Sequence, residues 1–158
     1  MSEDRYIELD RMRFTKNTQS SRLAYLAILF DVLFFISVYK SDVENYYYTI
    51  VIGASIIYNL VFLLVTFLAS EGVKNYKKSY SWVMIVLGVI QIARIFIIPL
   101  NAHNTVLAAG PVMDTFQFIR LIIYLVASAA CLFLSAYLNL QKSRALDAHM
   151  ASLQGQQA

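Results

Sequence analysis

The chain carries a single cysteine, Cys131, set within an apolar run. An intramolecular disulfide, a CxxC redox pair and a paired-cysteine zinc site are therefore excluded, and with them the four-span families defined by paired cysteines. Charge is also scarce, at 15% of 158 residues, and most of it is gathered into short blocks separated by long, largely uncharged stretches. Catalytic signatures are missing: there is no HExxH, no glycine-rich phosphate loop, no carboxylate pair at glycosidase-like spacing and no Ser-His-Asp set able to meet. The two histidines, His103 and His149, fall outside the apolar stretches and read as solvated. No enzyme, cofactor or metal site is expected. The pI of about 9.0 and the net charge of +3 do not argue for nucleic acid, because the basic residues flank hydrophobic segments, where anchoring and orientation explain them.

What the chain has in excess is hydrophobicity. Apolar residues make up 59% of it and the mean hydropathy is +0.58, more than a soluble domain of this size can hide. The apolar stretches are each near the roughly 20 residues that a helix needs to cross hydrocarbon. They predict an all-α membrane protein: an antiparallel bundle of four transmembrane helices over 23–39, 46–70, 80–100 and 118–138. This 23–138 domain lies between a cytoplasmic N-terminal arm, 1–22, and a cytoplasmic tail, 139–158, so the topology is N-in and C-in.

The first span must be distinguished from a cleaved signal peptide. Acidic residues in the segment before it, Asp31 in its middle and the bulky end of Ser37-Val38-Tyr39 all argue against cleavage. Its eleven Leu, Ile, Val and Phe residues favour insertion by roughly 3 to 6 kcal/mol against about 3 kcal/mol for one central Asp. Tyr46, Tyr47 and Tyr48 open the second span with rings suited to a membrane interface. Trp82 and Pro99 mark the two ends of the third, where a proline closes a helix without breaking its interior.

Orientation follows from the basic residues of the connections. Ten lie on one side: five in the arm, Lys74, Lys77 and Lys78 in the 71–79 loop, and Lys142 and Arg144 in the tail. Only Lys40 lies on the other, since the 101–117 loop has no Lys or Arg. Near-absence of charge and the turn dipeptide Gly110-Pro111 raise the question of a re-entrant 101–117 segment; an outer loop or short interfacial helix is the simpler expectation.

Two ionisable residues fall inside spans, where they are costly and need partners. Asp31 is central in span one. Arg94 is six residues from the outer end of span three, about 6 Å beyond the midplane, and its side chain leans back toward its own N-terminus, to the depth of Asp31. An intramembrane ion pair is expected, structural in preference to a gate, because the spans contain no further acid or histidine for a proton path. Arg120, near the outer start of span four, is placed to snorkel to the interface or to contact a lipid headgroup.

Small and polar residues recur at helical intervals: Ser55, Asn59, Phe62 and Thr66 in span two; Ser81, Met84, Gly88 and Gln91 in span three; Ser128, Cys131, Ser135 and Asn139 in span four. Such faces allow close helix approach and interhelical hydrogen bonds. The resulting expectation is a non-catalytic membrane subunit or scaffold in a larger transporter or envelope machine of a plasma membrane, in keeping with a bacterial cytoplasmic membrane. Its partners would be membrane lipids and another integral membrane protein or further copies of itself. The alternative is a small oligomeric transporter or channel using Asp31 and Arg94.

Overall fold

A computed structural model describes residues 16–39, 49–107 and 110–156. The expectations placed on residues 1–15, on Lys40 and on the Tyr46–Tyr48 triplet lie outside the described residues. Four long helices dominate: α1 (Thr18–Tyr39), α2 (Thr49–Lys74), α3 (Lys78–Ile97) and α5 (Thr115–Gln156). A short helix, α4 (Pro99–Asn104), and a two-residue antiparallel bridge between β1 (Val106–Leu107) and β2 (Gly110–Pro111) connect α3 to α5. All four long helices contain segments long and apolar enough to cross a membrane, as a multi-pass membrane protein requires.

Local chemistry sets the helix ends. Asn17 caps α1, its Oδ1 accepting the Ser20 N–H at 3.5 Å, while its own N–H donates to the Lys74 carbonyl at 2.8 Å and ties the start of α1 to the end of α2. Helix α2 closes with the Tyr76 N–H on the Val73 carbonyl and the Lys77 N–H on the Gly72 carbonyl, the pairing of a Schellman motif. Tyr76 occupies its left-handed position at φ 59°, a place glycine usually takes. Pro99 sits at the first position of α4, where its missing N–H costs nothing. Asp114 caps α5 through the Phe116 N–H at 3.3 Å.

The helices form a ring in the order α1, α2, α3, α5, with the most extensive contacts made by α5 against α1 and α3. Cross-helix bonds record the register: Ser135 meets Ser20 and Ser128 meets Ala27, while Asn139 meets Ser81 and Ser128 meets Gln91. Two apolar clusters fill the interior. One gathers Ala24, Ala27, Phe62, Met84, Leu87 and Leu132; the other gathers Phe34, Val38, Ala102, Met113, Leu121 and Leu125. The outer surfaces are apolar as well, with Ile57 65% and Phe96 63% exposed.

The helices extend past the spans expected from hydropathy. α1 begins within the expected arm, at Thr18 rather than Leu23, because Asn17 supplies a cap that a hydropathy window does not register. α5 continues unbroken through the tail to Gln156; at 1.5 Å per residue its 42 residues span about 63 Å, roughly twice the hydrocarbon thickness. In the 101–117 segment, a short helix is followed by the two-residue bridge. His103, expected to be solvated, is half-buried: its ring stacks on Phe118 with centroids 4.3 Å apart and its Nδ1 lies 3.3 Å from the Met113 carbonyl oxygen. The fold-back of α4 onto α5 covers part of it.

Candidate functional site: a buried polar centre joining four helices

Between the two apolar clusters, every long helix contributes a polar group to one centre. Asp31 comes from α1, one turn beyond Ala27 and one turn before Phe34. Gln91 and Arg94 lie three apart on α3, hence on one face. Asn59 comes from α2 and Ser128 from α5. The centre is sealed: Asp31 is 1% and Arg94 4% exposed, and Gln91 and Ser128 are fully buried.

Arg94 is its hub. Nη1 donates to Asp31 Oδ1 at 2.7 Å and to Gln91 Oε1 at 3.1 Å, and Nη2 donates to Asn59 Oδ1 at 2.9 Å. The guanidinium carbon lies over two rings, 4.6 Å from the Phe34 centroid and 4.5 Å from that of Tyr58. A desolvated cation over an aromatic face gains about 2 kcal/mol, so the rings replace part of the hydration that Arg94 has lost. Gln91 completes the circuit by donating from Nε2 to Asp31 Oδ1 at 2.8 Å and to Ser128 Oγ at 3.2 Å. Ser128 in turn donates to the Ala27 carbonyl at 3.0 Å. One orientation of the Gln91 amide satisfies both its charged neighbours, with oxygen toward Arg94 and nitrogen toward Asp31. Asp31 Oδ2 is buried and has no hydrogen-bond partner among the described residues.

A second polar joint lies at the end of the bundle where α1 starts. Asn139 Nδ2 donates to Ser81 Oγ at 2.8 Å and to the Lys77 carbonyl at 3.2 Å, while its Oδ1 accepts from Asn17 Nδ2 at 3.1 Å. Ser135 donates to the Ser20 carbonyl at 2.7 Å and Ser143 to that of Tyr76 at 2.9 Å. Between Ser135 and Ser128 the face of α5 presents Leu132, fully buried against Ala24, Ala27 and Met84. The two polar layers are thus separated by an apolar one.

Of the residues singled out in the sequence, Asp31 and Arg94 share the centre with Asn59, Gln91 and Ser128, and Ser81, Ser135 and Asn139 lie in the second joint. Gly88 is buried, and a Cβ added there would stand 2.8 Å from the Phe133 ring. Ser55 enters only through its carbonyl, which accepts from Asn59 Nδ2 at 2.7 Å. Arg120 is exposed and lies over the Phe116 ring at 5.9 Å, away from the centre. Sequence reasoning misses Phe34, Tyr58 and Asn17. Phe34 is signalled by standing three residues after Asp31, on the same face; nothing about Tyr58 beyond its adjacency to Asn59 marks it.

Among the described residues no group of three or more His, Cys, Asp or Glu side chains is arranged to hold a metal ion. Comparison with known protein families, with curated proteins and with solved structures found no match.

Proposed function

We propose that the chain is a non-catalytic integral membrane subunit, an antiparallel four-helix bundle with both ends on the cytoplasmic side of a bacterial plasma membrane, and that it packs against a larger membrane complex. The observation that supports this reading is the position of the polar centre. An Asp–Arg pair that joins four helices and is closed by apolar layers on both sides acts as an internal fastener. It fixes helix register and offers no polar route across the bundle. The rest of the membrane-level surface is apolar and free to meet lipid or another helix. The ten-to-one basic asymmetry supports the orientation.

A second reading, a small transporter working through Asp31, is favoured by one specific feature, the buried Asp31 Oδ2 with no hydrogen-bond partner among the described residues. The two readings separate in one experiment. The chain, tagged and expressed at its native level, is extracted in mild detergent and weighed intact by native mass spectrometry. It is also reconstituted alone into vesicles carrying a pH-sensitive dye. The subunit reading expects a complex of defined stoichiometry with other polypeptides and no proton or cation flux from the chain alone. A homo-oligomer with flux abolished by Asp31→Asn would replace it with the transporter reading.

A further inference from the structure

At the end of the bundle where α2 passes into α3, a surface groove of about 400 Å³ opens between the two helices, within the range of roughly 300–1,000 Å³ usual for ligand pockets. Its walls are apolar on the membrane side, with Val65 and Leu68 from α2 and Val83 from α3, and its floor is Gly72 beneath the Tyr80 ring. Its rim is polar, carrying Glu71, Asn75 and Lys77.

The charges at the rim do not cancel. Glu71 is already engaged: both its oxygens accept from Lys74 Nζ, at 3.0 and 3.1 Å, and Oε1 also accepts from the Tyr25 hydroxyl at 3.0 Å. Lys78 is paired with Asp147 on α5. Of the three lysines of this loop, Lys77 alone forms no ion pair among the described residues, and its side chain is exposed at the groove. Lys77 also stands at the N-cap of α3, where no side chain caps the helix and no acid lies in the first turn. The partial positive charge of a 20-residue helix is therefore added to that of the ammonium group.

An apolar slot ending in a cation with no ion-pair partner among the described residues and in a helix N-terminus without a side-chain cap there matches an anionic, acyl-bearing ligand. We propose that this groove binds a phospholipid with a net negative headgroup, one acyl chain lying along Val65, Leu68 and Val83 and the headgroup phosphate meeting Lys77 and the first amides of α3. The assignment rests on the membrane reading, since it needs the α2–α3 loop at the membrane–water boundary, and it holds whichever partner the bundle meets.

The test is native mass spectrometry of the full chain, delipidated in detergent and titrated with equimolar phosphatidylglycerol and phosphatidylcholine of the same acyl chains. One retained lipid is expected, with the anionic species preferred about fivefold, the change that one interfacial lysine contributes. Lys77→Gln should bring the preference to near unity. Lys77→Arg should keep it, and Leu68→Trp, at an exposed wall position, should weaken retention of both lipids without lowering the melting temperature. Equal retention of the two lipids by the unmodified chain, or an unchanged preference in Lys77→Gln, overturns the assignment. So does a lipid-free dimer that Leu68→Trp dissociates, which would give the groove to a second copy. Cysteine labelling of the loop from each side tests the membrane reading independently, so failure of one is distinguishable from failure of the other.

Discussion

Arg94 and Asp31 are 63 residues apart and meet at 2.7 Å inside the bundle, with the guanidinium carbon within 4.6 Å of both the Phe34 and Tyr58 ring centroids. The pair stands in low dielectric, and removing one partner leaves the other charged and unsolvated. Asp31→Asn and Arg94→Gln should each destabilise the bundle by about 3–5 kcal/mol, whereas the double variant should regain much of that loss. The measurement is a double-mutant cycle on unfolding in detergent. Strictly additive losses would show that the two side chains do not depend on one another.

The contact of Arg94 with these rings carries its own prediction. Phe34→Leu keeps an apolar side chain at the position but removes the ring face, so it should cost about 2 kcal/mol. In an Arg94→Met background the same change should cost appreciably less, because there is no cation left for the ring to hold. An identical cost in both backgrounds would make Phe34 a packing residue only.

Close helix approach is tested at two glycines. At Gly72 an added Cβ would stand 2.2 Å from the Tyr80 ring, so Gly72→Ala should cost about 1–3 kcal/mol through overpacking. A smaller side chain in Tyr80→Ala should relieve that strain when the two changes are combined. At Gly88 the obstacle is the edge of the Phe133 ring at 2.8 Å, and Gly88→Leu should be costlier than Gly88→Ala. Leu87 is no neutral control for that comparison, since it is itself buried in the core cluster. Val86, 56% exposed on the same helix, serves instead; Val86→Ala should be nearly silent in the same thermal-stability assay.

Hydropathy and four-residue spacing make the four long helices and much of the polar centre legible. Asn59, Gln91 and Ser128 stand out because small and polar residues on one face of an apolar helix have few stable places except against other helices. Asp31 and Arg94 stand out by depth, a quantity that counting residues along a span delivers. Spacing identifies a helix face without saying which neighbour that face meets, and for this reason the ring order, the contacts of Phe34 and Tyr58 with Arg94 and the Asn17–Asn139 joint are not legible. The continuation of α5 through the tail is hidden for a different reason: its last turns are polar, so they carry helix propensity without a hydrophobic signal. The partial burial of His103 depends on α4 folding back, a tertiary event with no local signature.

The orientation of the bundle is open to a test that the chain's composition makes simple. Its one cysteine, Cys131, is buried in the core, so the unmodified protein should stay silent toward a membrane-impermeant maleimide and single cysteines can be introduced against a clean background. Lys77 and Asn104 are both exposed and lie at opposite ends of α3 and α4. With ten basic residues on one side and one on the other, Lys77→Cys should be protected in intact cells and labelled after permeabilisation, while Asn104→Cys should be labelled at once. Surface labelling of Lys77→Cys in intact cells would invert the orientation, and would move the groove beside it to the outer leaflet.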